Sequence, residues 1–160
     1  MADKPIEFFT GSYRFLSNFY PAWTKYEGML YPTAEHAYQA AKSTDPKVRK
    51  AVRDLPTPSE AKRYGRRKVA LRLGWDKMKL DVMREVLRSK FSDERMRREL
   101  LATGERELIE GNDWGDKYWG KVGRTGANWL GRILMEVRAE AASGQRPASS
   151  SGGEPPMGAA

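Results

Sequence analysis

Residues 31–42 read Tyr31-Pro32-Thr33-Ala34-Glu35-His36-Ala37-Tyr38-Gln39-Ala40-Ala41-Lys42, and the change of pattern inside this stretch decides the fold. Before it the chain is aromatic and extended. After it come segments with helical caps and helical spacing. Pro32-Thr33 ends the extended part, and Thr33 is a natural N-cap. Read as a helix over 33 to about 43, the segment puts Glu35 and Lys42 two turns apart on one face, with Tyr38 between them. A carboxylate, a ring and an amine then share one line, and Ala37, Ala40 and Ala41 leave space beside it. The positive end of the helix dipole is expected to keep Glu35 ionised. An ionised carboxylate near an amine suits chemistry on an electrophilic carbon. The same spacing suits ordinary structural charges, because glutamates collect in first helical turns.

On the N-terminal side, residues 6–9 predict a short strand. Residues 12–20 carry four aromatics among Ser, Asn and Arg, a composition that suits a loop folded over a pocket. Residues 23–31 predict a hairpin turning at Glu27-Gly28. On the C-terminal side, Asp45-Pro46 starts a second helix. Thr57-Pro58-Ser59-Glu60 is a capping box that starts a third, short helix ending near Gly65. A basic connector follows, and a long helix runs from Asp76 to about Phe91. Its Met78, Val82, Met83, Val86, Leu87 and Phe91 form one apolar stripe. Ser92 caps a further helix to Leu101. Residues 108–110 look like a strand, and a last helix covers about 128–142 with Leu130, Ile133, Leu134 and Val137 inward. Alternating βαβ units are absent. The expectation is an α+β fold: a mainly helical single domain, residues 1–142, with a small antiparallel sheet. Residues 143–160, rich in Ser, Gly and Pro, read as a disordered tail.

Charge and composition narrow the function. The 160-residue chain carries a net charge of +8, and 19 of its 29 Lys and Arg residues lie between Lys42 and Arg98. Such a field attracts phosphate-bearing partners, although a solvated helical surface would look the same. There is no cysteine, and the single histidine, His36, rules out a His cluster for a metal and a Ser-His-Asp triad. No metal and no cofactor are expected, and acid–base work falls to carboxylates, lysines and tyrosines. His36 itself suits packing or capping. The N-terminus lacks the apolar core of a signal peptide, and no apolar run is long enough to span a membrane. A cytoplasmic protein without membrane association is expected; the sequence leaves its oligomeric state open.

A second informative stretch is Asn112-Asp113-Trp114-Gly115-Asp116-Lys117-Tyr118-Trp119-Gly120. Its rings can stack on a base, its carboxylates can bind ribose hydroxyls or a cationic centre, and its glycines would let backbone approach a ligand. A tryptophan-anchored surface loop is the plainer reading. Trp75 and Lys79 would form a third wall, unless Trp75 only staples the start of its helix.

Taken together, Phe15-Leu16-Ser17-Asn18-Phe19, the 31–42 stretch, Trp75-Asp76 with Lys79 and Met83, Lys90-Phe91, residues 100–104, Trp114-Gly115-Asp116 with Trp119-Gly120, and Asn128 with Leu130-Gly131, Leu134-Met135 and Arg138 resemble the NADAR family, also called YbiA-like. The resemblance covers about residues 8 to 140, in order. It implies a compact, mainly helical α+β fold and an N-glycosidase. That enzyme would cleave the ribosyl C1′–N bond of phosphorylated riboflavin-pathway intermediates, or release ADP-ribose from guanine bases, free or on DNA. Carried over by position, Glu35 matches the motif glutamate, Lys42 the motif lysine, Trp75 the ring-stacking tryptophan and Asp116 the acidic residue of the late loop.

The residues support the same chemistry. Cleaving a C1′–N bond develops positive charge on the sugar. Glu35 or Asp116 could stabilise that charge or activate water, while Lys42 could instead attack an opened sugar aldehyde. Trp75, Trp114 or Trp119 would stack on the base, with Tyr38 a further contact to the substrate. Arg14 and the basic helices would hold phosphate, with Ser17, Asn18, Asn112 and Lys79 as further polar contacts to the substrate. The alternative is a binding module for ADP-ribose or a nucleotide, without turnover.

Overall fold

The computed structural model describes residues 3–144. Its sheet is the predicted hairpin. Strand β1 (Pro21–Tyr26) pairs antiparallel with β2 (Met29–Thr33), with Tyr26 opposite Met29 and Thr24 opposite Tyr31. The two turn residues, Glu27 and Gly28, both have positive φ, 44° and 88°. That geometry matches the right-handed twist of the strands in a two-residue hairpin.

Helix α1 (Ala34–Ala40) grows directly out of β2. Thr33 caps it, its hydroxyl accepting from the His36 N–H at 3.1 Å. Every residue of α1 is buried, and Ala34, Ala37 and Ala40, with Ala41 just beyond, are wholly so. These small side chains let α1 sit at the centre, against the hairpin and against α2 (Pro46–Arg53), α3 (Pro58–Arg67) and α4 (Trp75–Lys90). At the closest approach Gly65 of α3 meets Gln39 of α1. A Cβ there would collide with the Gln39 side-chain oxygen, so α3 continues through its glycine to Arg67 instead of ending at it.

Helix α4 buries Val82, Met83, Val86 and Leu87 as its stripe predicts, and adds Trp75 and Lys90. It packs on β1 and on α6 (Trp129–Ser143). Arg84–Glu136 and Arg88–Glu140, each 2.8 Å, brace the α4–α6 seam. Helix α5 (Glu94–Leu101) is capped by Asp93, not Ser92, because the Asp93 carboxylate reaches the Met96 N–H at 3.0 Å.

Some expectations are corrected. Residues 6–9 and 108–110 form no named strand; only Ile6 and Leu108 make a parallel bridge, followed by one more hydrogen bond, from the Gly111 N–H to the Glu7 carbonyl at 3.1 Å. Part of the 12–20 loop is a 3-10 helix over Gly11–Leu16. Helix α6 reaches Ser143, one residue beyond the proposed domain end. The rest of the proposed tail, 145–160, lies outside the described residues. The architecture is thus a helical α+β domain with one two-stranded antiparallel sheet. No helix among the described residues is long and apolar enough to cross a membrane.

Candidate active site

A cavity of about 1100 Å³ opens between the 17–19 turn, the face of α1 that carries Glu35 and Tyr38, and the 109–124 segment. That volume is slightly above the usual range for small-molecule sites, about 300–1000 Å³. Ser17, Asn18, Glu35, Tyr38, Asn112, Trp114, Asp116 and Trp119 all line it, so three segments far apart in sequence meet where the motifs place them. The other candidates stand elsewhere. Arg14 is exposed, its guanidinium 5.8 Å from the Tyr20 ring centre. Trp75 is buried behind Tyr38, ring centres 5.3 Å apart. Lys79 pairs with Asp76 at 3.3 Å and lies 4.4 Å from the Tyr118 ring centre.

Lys42 also lies off the cavity lining, because α1 ends at Ala40. Lys42 is in the turn beyond it, half-buried, with its amine 5.7 Å from the Tyr38 ring centre. Burial lowers the pKa of this amine, against the opposing pull of Glu35. The helical line of carboxylate, ring and amine therefore holds for Glu35 and Tyr38 and bends away at Lys42.

Glu35 is only 8% exposed. Its backbone N–H donates to the Asn18 carbonyl at 3.0 Å, and its Oε2 accepts from Gln39 Nε2 at 2.6 Å. Burial works against the expected effect of the helix N-terminus on this carboxyl. Burial pushes its pKa up, and the Gln39 bond with the charges of Lys62 and Lys42 offsets this only in part. Desolvation of a carboxylate outweighs a half-charge at a helix end.

Tyr38 stands edge-on to Trp119, ring centres 5.4 Å apart at 83°, and Tyr118 meets the same indole at 4.9 Å and 88°. Trp114 is 63% exposed at the rim, with the Lys62 amine 5.8 Å from its ring centre. Asn18 is buried beside Met83 with its Oδ1 unpartnered, an acceptor available to a ligand.

Asp116 and Asn112 shape the loop. Asp116 Oδ1 accepts from the N–H groups of Tyr118 and Trp119, at 3.0 and 2.9 Å. Asn112 accepts from the Asp116 N–H and donates to the Asp116 carbonyl. The loop glycines do not all serve a ligand, as expected of them. A Cβ on Gly120 would collide with the Glu110 carbonyl oxygen, and one on Gly111 with that of Glu7. Those two let backbone pack on backbone.

Sequence reasoning missed several charged lining residues, Lys62 and Glu110 among them. Nothing separates Lys62 from its basic neighbours in the sequence. For Glu110 a signal existed: a period of two from buried Leu108 turns it inward. His36 is a packed residue as read, its ring nitrogens 2.7 Å from Thr33 Oγ1 and 3.0 Å from the Leu55 carbonyl. Among the described residues no group of three or more His, Asp and Glu is placed to hold a metal ion.

This arrangement, a protonatable carboxyl in an aromatic-walled cleft with basic residues at its rim, is that of a site for a charged ring-bearing ligand. Comparison with known proteins identifies the class. The NADAR domain profile matches residues 7–141, and the chain belongs to that family. It is 42% identical over 148 residues to N-glycosidase YbiA of Escherichia coli, covering 89% of this chain and 91% of that protein. It is 37% identical over 143 residues to riboflavin biosynthesis protein VVA0006 of Vibrio vulnificus, 86% of this chain but 39% of that one. The NMR structure of E. coli YbiA superposes with a TM-score of 0.80 at 38% identity, covering 95% of this chain and 93% of the other.

Proposed function

We propose that this protein hydrolyses the ribosyl C1′–N bond of a phosphorylated ribosylaminopyrimidine of the riboflavin pathway. The chain is a hydrolase of N-glycosyl bonds, in keeping with relatives named N-glycosidase that match it over most of its length. The pyrimidine substrate follows the riboflavin biosynthesis proteins among those relatives. The observation that carries the reading is Glu35. It is a buried carboxyl, hydrogen-bonded on one oxygen and facing a cavity with room for a pentose and a base beside the packed rings of Tyr38 and Trp119. Such a group can take a proton from water as it attacks C1′, and in its charged form it stabilises the oxocarbenium-like transition state. Lys62, Lys121 and Arg124 on the lining supply charge for phosphate. Phosphorylated intermediates are retained inside cells, in keeping with a cytoplasmic enzyme.

One observation favours a second route to the same products. The Lys42 amine lies 5.7 Å from the ring centre of Tyr38, a lining residue, and burial lowers its pKa, the direction that attack on an opened sugar aldehyde requires. Cyanoborohydride during turnover traps such an adduct and leaves a water reaction unmarked.

The test is incubation with a ribosylaminopyrimidine 5′-phosphate and, in parallel, with an oligonucleotide carrying ADP-ribosylguanine. Released base and sugar are read by mass spectrometry. Release of aminopyrimidine by the wild type and its loss in Glu35→Gln, with the melting temperature kept, is expected. Release from the oligonucleotide alone moves the substrate to ADP-ribosylguanine. Tight binding with no product from either makes the domain a nucleotide reader.

A further inference from the structure

The geometry points to Glu110 as the acid that protonates the departing base, because its carboxyl lines the Glu35 cavity with no partner while its backbone is clamped on both sides. This rests on the N-glycosidase reading above. The Glu110 N–H donates to Asn128 Oδ1 at 3.0 Å, and its carbonyl accepts from the Lys121 N–H at 3.0 Å. Gly120 lies so close that a Cβ there would be 2.8 Å from Glu110 Cγ. The glycine of the Trp119-Gly120 pair thus leaves room for this side chain. Among the described residues, the Glu110 carboxyl makes no hydrogen bond and has no cation within 4.0 Å. The buried Lys90 amine donates to the Ser17 carbonyl instead, at 2.8 Å. A carboxylate held this firmly and left unpaired in a half-buried site is not explained by the fold.

The chemistry has a place for it. An aminopyrimidine is a poor leaving group as an anion and needs a proton as its bond to C1′ breaks. The bonding pair goes to nitrogen, and nitrogen takes the Glu110 proton. Water oxygen bonds to C1′, and its proton goes to the Glu35 carboxylate. Exchange with solvent then restores both groups. Two carboxyls in one cavity, one charged and one neutral, is the division of labour this needs. Burial and the charges of Asp116 and Glu35 push Glu110 up to about 7, against Lys62 and Lys90, so it holds a proton near neutrality. Lys121 is the remaining charged side chain on the adjoining backbone.

The experiment compares wild type, Glu110→Gln and Glu110→Asp on two substrates. One is a ribosylaminopyrimidine 5′-phosphate; the other is a 4-nitrophenyl riboside 5-phosphate, whose leaving group departs without a proton. Glu110→Gln is expected to lower kcat at least 100-fold on the first and no more than fivefold on the second, with KM within threefold. Glu110→Asp should fall between. The wild-type pH profile should lose activity on its alkaline side with the aminopyrimidine only, a readout that stands even if the glutamine variant does not fold. Equal losses on both substrates, or alkaline limbs that coincide, overturn the assignment and leave the N-glycosidase intact. A wild type that turns over neither substrate removes both.

Discussion

Gln39 donates to Glu35 Oε2 at 2.6 Å from one turn further along α1, and Gly65 of α3 is packed directly against the Gln39 amide. The catalytic candidate is therefore held through a second helix, the one that also brings Lys62 to the cavity. A hydrogen bond to the charged form of a carboxyl favours that form. Gln39→Leu removes it, so the Glu35 pKa rises further and the acid side of the kcat profile moves to higher pH. An acid limb unmoved in that variant would show that Gln39 does not tune Glu35. Gly65→Ala should give the same shift with a stability loss of about 1–3 kcal/mol from overpacking, seen as a lower melting temperature.

The two loop tryptophans predict opposite phenotypes. Trp114 is exposed, with the Lys62 amine 5.8 Å from its ring centre, whereas Trp119 is wedged against Tyr38 and Tyr118. Trp114→Ala should leave stability within about 0.5 kcal/mol, as surface changes do, and raise KM several-fold if its indole stacks on substrate. Trp119→Ala should cost about 3–5 kcal/mol through the lost aromatic packing. Chemical denaturation and steady-state kinetics on the same preparations separate the two.

Lys90 gives a pH signature. Burial lowers its amine from 10.5 to about 7. Between those values the unfolded chain binds the proton and the folded protein does not, so this group makes stability rise with pH from about 7 to about 10.5. Below about 7 the folded protein must charge a buried amine, and the full penalty is present. Lys90→Met abolishes that slope. Its stability relative to wild type should fall steadily as pH is raised from 7 to 10, measured by denaturant midpoints. A flat difference means that Lys90 titrates normally.

Local signals carried most of the fold. Thr33, Asp45 and Thr57 cap α1, α2 and α3 as their sequence contexts predict, and Glu27-Gly28 makes the hairpin turn. These are short-range choices between a side chain and the nearest backbone N–H. The chain ends of elements were less legible, because tertiary contacts decide them. Gly65 reads as a stop and is a contact. The line from Glu35 to Lys42 reads as continuous helix and breaks at Ala40. In the site, motif residues identified the cavity, but its charge state was hidden. The rise in the Glu35 pKa comes from everything packed around it, which no spacing shows. Lys90 shows the opposite case. It follows Met83 and Val86–Leu87 at helical spacing, so the apolar stripe already assigns it a buried position that its charge conceals.

Asp116 combines a structural and an electrostatic role, and two substitutions separate them. Its Oδ1 caps the Tyr118–Trp119 turn with two hydrogen bonds, and its charge raises the pKa of both Glu35 and Glu110. Asp116→Asn keeps an acceptor oxygen for the turn and removes the charge. Both glutamates then become easier to ionise, so the acid and alkaline limbs should each move to lower pH, opposite to Gln39→Leu, with the melting temperature nearly kept. Asp116→Ala removes charge and cap together. It should show the same displacement plus about 1 kcal/mol of lost stability, the usual cost of such a bond, and a weaker hold on Trp119 visible as altered indole fluorescence. If the asparagine variant leaves both limbs in place, the influence of Asp116 on the two glutamates is confined to the loop it folds.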